Sequence, residues 1–340
     1  MEDSSLPNPL MEKPAEFHDM TRETWRGRIR RLYKHHYPID KDHPDLKIYH
    51  CSQFSLAKTV DGLSTASGTN LSPLQQGEPQ ALAATRCSLA VHQNSIWYDS
   101  DGLKLVQYFP RLLSRTAGPI LSELETLVKA YTPHPPPQHS QQQQSEEEWL
   151  YNLPPENPSG FLRLTVHDNL AKDQAACSDL LSRDTIRITA ANFRRSTAIS
   201  DMSQYLSILL AAIDPPSWRK YRDVYIKLAS QRECCFLRDW DPSNIECFID
   251  HTILVNMSTT IDRDWKNLPE GWICMVALGE FMEGGIVLPD LGVELPFQAG
   301  DVVFMRSWAL WHFLKEYQGV ERYVIVLSTS NALFNWSSRL

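Results

Sequence analysis

The chain's 340 residues suffice for one large domain or two ordinary ones, and 42% apolar beside 22% charged residues is the balance of a folded globular protein, which excludes a wholly disordered or fibrous chain. A formal net charge of −8 excludes a general attraction to nucleic acid or anionic membrane, so any such affinity has to come from a local basic patch. The opening residues MEDSSLPNPLMEK carry no apolar h-region and no stretch approaches the ~18 apolar residues of a membrane span, so the expectation is a soluble intracellular protein, cytoplasmic or nuclear, with no membrane partner.

Thr21 to Tyr37 reads as a helix capped by Thr21, in which Arg22, Arg26, Arg28, Arg30, Arg31 and Lys34 meet only Glu23. The basic segment Arg22 to Lys34 is either a solvated face partly neutralised by the acidic excess or a contact to nucleic-acid phosphates, and spacing does not separate the two. From Ser88 the pattern changes to SLAVHQ, SIWYD and LKLVQYF around Ser100, Asp101 and Gly102, which predicts a β-hairpin. Leu112, Leu113, Ile120, Leu121, Leu124, Leu127 and Val128 then predict an amphipathic helix over about Arg111 to Tyr131.

Thr132 to Glu148, made of Pro, Gln and Glu, has almost nothing to bury and reads as a disordered, dispensable insertion. A hairpin and a helix make a poor free-standing domain, so residues 1–131 are expected to pack on a main domain over 149–340. Two further helices are predicted at Asp201 to Ile213 and Ser217 to Ser230, separated by the breaker Asp214, Pro215 and Pro216. From Cys247 come the apolar runs CFIDHTILVN, WICMVAL, GIVLP, VELPF, DVVFM and YVIVLST, divided by Gly and Pro, which imply a sandwich or barrel core at about 247–330. The fold class is therefore α+β with a mainly β core. Cys51, Cys87, Cys177, Cys234, Cys235, Cys247 and Cys274 form an odd set without CxxC spacing and read as reduced thiols.

Asp262 and Asp264 stand at i and i+2 by a strand end, where alternation points both side chains one way, and His312 lies on a later strand. Arg322 follows ten residues after His312, with a planar fork suited to a carboxylate. Carboxylate and imidazole donors from two strands, with open positions left over, suit an oxygen-activating iron site.

The run from STTIDRDW through LPEGWICMVALGEFMEGGIVLPDLGVELPFQAGDVVFMRSWALWH to ERYVIVLST resembles fungal dioxygenases of the TET/JBP group, and a weaker similarity extends upstream through the helices around Pro215. The resemblance implies a double-stranded β-helix of jelly-roll or cupin type with flanking helices, Fe(II) and 2-oxoglutarate as cofactors, and O2 as co-reactant. Oxidation of a methylated nucleobase in DNA or RNA is the substrate class it suggests first, with a small metabolite or a protein side chain as alternatives.

Carried over position by position, Asp264 and His312 fall on metal-ligand positions and Arg322 on the 2-oxoglutarate anchor, with Asn256 assigned beside it to cofactor binding. Gly284-Gly285 and Gly300-Asp301 fall on structural positions. Asp262 departs from the family's His-x-Asp pattern, because the segment here is Asp262-Arg263-Asp264. As a ligand it would place one more negative charge around the ion than neutral imidazole and weaken 2-oxoglutarate binding. The rival outcome is a catalytically degenerate barrel kept as a binding module.

Plainer roles stand beside these. Asp262 and Asp264 also suit a solvated turn, with Asp264 as a cap, and His312, between Trp311 and Phe313, suits a hydrogen-bonded core position. Arg322 could pair with Glu321 at the surface, and Arg306 is a second cation with a structural use. His251 is a remote candidate to replace the missing imidazole. Trp265, Trp272, Trp308 and Trp311 either stack on a planar base or pack in the core, and Trp308 and Trp311 cannot both face inward from a regular strand.

Overall fold

In a computed structural model the residues described are 46–66, 89–132, 159–164, 193, 196–231 and 245–340. The basic segment Arg22 to Lys34, the Pro/Gln/Glu stretch beyond Thr132, and Cys87, Cys177, Cys234 and Cys235 lie outside them. Cys51, Cys247 and Cys274 are free thiols.

The elements begin with β1 (Lys47–Cys51), α1 (Leu56–Ala66), β2 (Leu89–Ala90), β3 (Ser95–Asp99) and β4 (Lys104–Phe109). The helices α2 (Leu112–Thr116) and α3 (Gly118–Tyr131) follow, then β5 (Gly160–Leu164), α4 (Thr197–Ile213) and α5 (Pro215–Ala229). The remainder is β6 (Asp250–Val255), β7 (Ile273–Glu283), β8 (Ile286–Leu288), β9 (Val293–Leu295), β10 (Val302–Met305), β11 (Phe313–Leu314), β12 (Tyr317–Ser328) and α6 (Asn331–Ser337).

The larger sheet has the order β1-β3-β4-β10-β7-β12-β6-β5 and the smaller β11-β8-β9-β2. Their facing sides share one apolar cluster, in which Ile273, Met275, Val303 and Val324 of the larger sheet meet Ile286, Leu288, Val293 and Leu295 of the smaller. This is a double-stranded β-helix. The other side of the larger sheet is covered by helices: Cys274, Val276, Leu278, Val302 and Phe304 pack with Leu124, Met202, Leu206, Leu209 and Tyr225. Burial on both faces explains why WICMVAL reads as an unbroken apolar run, since alternate residues serve two different cores.

The runs after Cys247 do not complete the larger sheet alone. β10 pairs with β4 and β6 with β5, so upstream segments satisfy the edge N–H and C=O groups that these strands would otherwise leave open. The single helix expected from Arg111 to Tyr131 is two helices broken at Ala117, where Pro119 opens the second and has no N–H to continue the first. The next helices start earlier than the apolar spacing indicated, at Thr197 and Pro215. Pro215 and Pro216 open α5, and Asp214 caps it by accepting the Ser217 N–H at 3.1 Å.

Candidate metal and co-substrate site

After β6 the chain turns at Asn256, which adopts φ 51°, a left-handed conformation that Asn tolerates better than most residues. Its Oδ1 accepts the Arg322 N–H at 2.8 Å and the Tyr317 hydroxyl at 3.1 Å, and its own N–H donates to Arg322 O at 2.7 Å. The following segment runs antiparallel to residues 312–315. Thr259 N–H donates to Leu314 O at 3.1 Å, Leu314 N–H donates to Thr259 Oγ1 at 2.8 Å, and Asp262 and His312 exchange both backbone hydrogen bonds at 3.0 Å. Asp262 is thus tied to His312 by an isolated bridge rather than lying at a regular strand end.

Two residues on, Asp264 N–H donates to Ser307 O at 3.1 Å, and the Asp264 Oδ2 lies 3.8 Å from His312 Nε2. The His312 Nδ1 donates to Leu310 O at 3.0 Å, which fixes the ring and leaves Nε2 facing the carboxylate. An imidazole lone pair and a carboxylate oxygen directed at one another are two acceptors. They suit a shared hydrogen-bond donor or a cation, of which a metal ion is one. The Asp264 side chain is 38% exposed and that of His312 14%, so solvent reaches the pair from the carboxylate side. Asn267 Nδ2 donates to Asp264 Oδ2 at 3.3 Å.

Asp262 is placed differently. It is exposed, and its Oδ1 accepts the Arg263 N–H at 2.7 Å. Partial burial of the carboxyl raises its pKa, the Arg263 N–H opposes that, the Asp264 charge adds to it and His312 lowers it. Among the described residues no three His, Cys, Asp or Glu side chains are gathered into one cluster, so Asp264 and His312 are brought together and Asp262 does not complete a triad.

Arg322 sits within β12, opposite Gly279, and is 1% exposed. It shares the barrel-facing side of that strand with Val324. Its Nη1 donates to Gly284 O at 2.9 Å and Lys315 O at 3.0 Å, Nη2 donates to Met257 O, and Cζ lies 4.5 Å from the Tyr317 ring centre. Its Nε is buried and has no partner among the described residues. Burial pulls the guanidinium down to about 10, still cationic at neutral pH. The acceptors Met257 and Lys315 lie at one end of the antiparallel track whose other end is the Asp262–His312 bridge. The surface pairing with Glu321 does not form: Glu321 meets Lys129 and accepts the Tyr323 hydroxyl at 2.9 Å.

Arg306 serves the opposite face. Its Nη2 meets Asp214 Oδ2 at 3.0 Å, its Nε donates to Lys104 O at 2.8 Å, and its Cζ lies 4.2 Å from the Trp272 ring centre. His251 pairs in register with Leu327 and Leu164, both in the helix-side core, so its ring points away from the barrel and cannot replace an imidazole at position 262.

Trp308 and Trp311 are both buried, which the strand assumption ruled out; residues 306–310 form a turn, with the Ala309 and Leu310 N–H groups donating to Arg306 O at 3.0 and 3.1 Å. Trp272, Trp308 and Trp311 are core residues. Trp265 is partly exposed and stands edge-on to Trp308. Tyr317, Met257 and Asp290, which accepts the Trp311 N–H at 2.7 Å, went unnoticed in the sequence because each acts through a backbone or ring contact that carries no spacing signal. A separate hollow of about 280 Å³, lined by Ser52, Phe54, Ser55, Lys58, Thr59 and Ser100, lies where Asp99 already caps α1, accepting the Leu56 N–H at 2.9 Å. It offers none of the donors found at the Asp264–His312 pair.

No family model and no curated protein matches the sequence. Among solved structures the chain is similar to NgTET1 in complex with 5mC DNA, at 13% identity over 72% of this chain and 78% of that one, with a TM-score of 0.49. It is similar to OsALKBH1 at 9% identity over 69% and 99% of the two chains, TM-score 0.33. A third is a 2OG-Fe(II) oxygenase family oxidoreductase from Burkholderia pseudomallei, at 19% identity over 31% and 55%, TM-score 0.22. Likeness of this degree assigns neither activity nor substrate, and the site stands on its own geometry.

Proposed function

We propose that this chain is an Fe(II)/2-oxoglutarate-dependent dioxygenase-like protein in which Asp264 and His312 hold the metal and Arg322 anchors 2-oxoglutarate. The carrying observation is the Asp264 Oδ2 to His312 Nε2 approach of 3.8 Å, two acceptors aimed at one another at the end of the track that leads to Arg322. A carboxylate and an imidazole are suitable donors for a divalent first-row ion. The unpartnered Arg322 Nε, buried on the barrel side, is a donor in want of an anion, and it fits the distal carboxylate of 2-oxoglutarate. When bound, Fe(II) and 2-oxoglutarate with O2 supply the oxidant for C–H hydroxylation.

The chain's own part is positional. Leu310 O fixes the His312 ring, Ser307 O fixes the backbone of Asp264, and Asn256 holds the backbone of Arg322 while Gly284 and Lys315 carbonyls orient its fork. A methylated nucleobase in DNA or RNA is the substrate class we favour, on the resemblance of the segment around residues 256–329 and on the basic run Arg22 to Lys34. No helix among the described residues is long and apolar enough to cross a membrane.

A degenerate binding module is the second reading, favoured by Asp262 standing outside a triad. Metal analysis of protein prepared without air, followed by titration with 2-oxoglutarate, separates the two. The oxygenase-like reading expects one Fe(II) or Mn(II) per chain, lost in Asp264→Ala and His312→Ala, and 2-oxoglutarate binding that depends on the metal. Wild-type protein that takes up neither ion would leave the binding module as the better account.

A further inference from the structure

We infer that the metal centre has two protein donors, Asp264 and His312, and that Asp262 reaches the ion only through a water, as an outer carboxylate in the place where a third ligand would stand. The inference rests on the function proposed above and deepens it.

The isolated bridge between Asp262 and His312 fixes their backbones, with two hydrogen bonds of 3.0 Å, as a directly opposed antiparallel pair. Side chains of such a pair leave the ladder on the same side and rise next to one another. They differ in length. The His312 Nε2, the atom facing Asp264, is at the far tip of its ring, whereas the oxygens of an aspartate at the opposed position end close to its Cγ. An imidazole at 262 would reach the same depth as His312; a carboxylate stops short of it.

Three further observations agree. Asp262 Oδ1 turns back to accept the Arg263 N–H at 2.7 Å, so one of its two oxygens is engaged by its own backbone. The residue is exposed overall although its carboxyl is partly buried, so water reaches the side chain. Among the described residues no three potential ligands are gathered, although Asp264 and His312 approach to 3.8 Å. The shortfall is of the kind one ordered water fills, coordinating the ion through its oxygen at one of the open positions and donating a hydrogen bond to the second Asp262 oxygen.

Mn(II) is the probe, because its electron paramagnetic resonance reads occupancy and its line broadening in oxygen-17 water counts the waters on the ion without turnover. The expected result is that Asp262→Ala keeps the same number of waters on Mn(II) as wild type and loses affinity about tenfold, the lower end of the effect of an outer hydrogen-bonding partner; unchanged affinity would overturn the inference. Asp262→His is expected to carry one water fewer and to bind Mn(II) more tightly, while Asp264→Ala and His312→Ala lose occupancy. Circular dichroism and a melting curve establish that each variant is folded, and the exposure of position 262 favours that. If Asp262→Ala gains one water, Asp262 is itself a ligand and the inference is overturned while the proposed function stands. If wild-type protein binds no Mn(II), both are overturned.

Discussion

Gly284 tests how tightly the Arg322 cradle, with Tyr317 beside it, is packed. It adopts φ +74°, and a Cβ added there would meet Arg322 Nη1 inside contact distance and Tyr317 Cβ at 2.7 Å. Gly292 provides the control: it adopts φ +62°, with nothing within 4 Å of an added Cβ. Gly292→Ala therefore carries only the left-handed strain, about 1–2 kcal/mol. Gly284→Ala carries the same strain and must also displace Nη1 from the Gly284 and Lys315 carbonyls, two hydrogen bonds from a charged donor at about 1.5–3 kcal/mol each. Partial relaxation of the arginine should recover some of that, which leaves Gly284→Ala about 3 kcal/mol below Gly292→Ala. Urea unfolding of the two variants, compared through their midpoints at a common slope, measures the difference directly. Midpoints that translate to a gap under about 1 kcal/mol would refute the cradle, because the arginine would then be free to move at little cost.

The other predictions concern residues that hold the site's surroundings. Asp214→Asn should destabilise by about 3 kcal/mol, since it keeps an oxygen that can cap the helix but leaves the buried Arg306 cation without its carboxylate. Burial would raise the Asp214 pKa, but hydrogen bonds from Trp272 and Ser217 and the Arg306 charge outweigh it and hold the carboxyl below its usual range. Its folded value is thus below the unfolded one of about 3.9; its stabilisation is present above that pH and lost as pH falls through the folded value. Asp214→Asn should accordingly flatten the acid side of a stability profile read by urea midpoints between pH 3 and 6. Asn256→Ala should cost about 2–4 kcal/mol, combining strain at φ 51° with an unsatisfied Arg322 N–H, and Asn256→Gly should recover only the strain, as thermal melts of the two would show.

Much of the barrel was legible because the runs after Cys247 alternate between two cores, and burial on both faces leaves a continuous apolar signal. Alternation does not say which face carries helices. His251 therefore remained a candidate in the sequence, although it points to the helix side. The approach of Asp264 and His312 followed from residue type and order, while the position of Asp262 did not. That position is set by the paired backbone bonds to His312, which any residue but proline at 262 could make, and by the Arg263 N–H that its own carboxylate accepts, a contact without a spacing signal. The break at Ala117 was announced by Gly118-Pro119 inside a pattern whose leucines continued across it, and the turn at 306–310 had no glycine or proline to mark it.

The buried arginines Arg306, just beyond β10, and Arg322, within β12, differ in what balances their charge, and that difference bears on function. Arg306 meets the Asp214 carboxylate. Arg322, among the described residues, is met by carbonyls and aromatic rings only, with Nε unpartnered and burial lowering its pKa to about 10. A buried cation without an anion is unfavourable by several kcal/mol, so an entering dicarboxylate that supplies the counter-charge should bind the folded chain and raise its stability. For a ligand that binds only the folded form the gain is RT ln(1 + [L]/Kd), about 2.7 kcal/mol at a hundredfold excess over Kd. Metal-loaded wild-type protein should therefore melt at a higher temperature with 2-oxoglutarate, and succinate, which has the distal carboxylate but lacks the keto-acid chelate, should raise it less. Arg322→Met removes the charge at similar length and should abolish the response to 2-oxoglutarate while metal occupancy, read at Asp264 and His312, persists. An equal shift in wild type and Arg322→Met would mean that the dicarboxylate is held elsewhere and that Arg322 is a buried structural cation like Arg306.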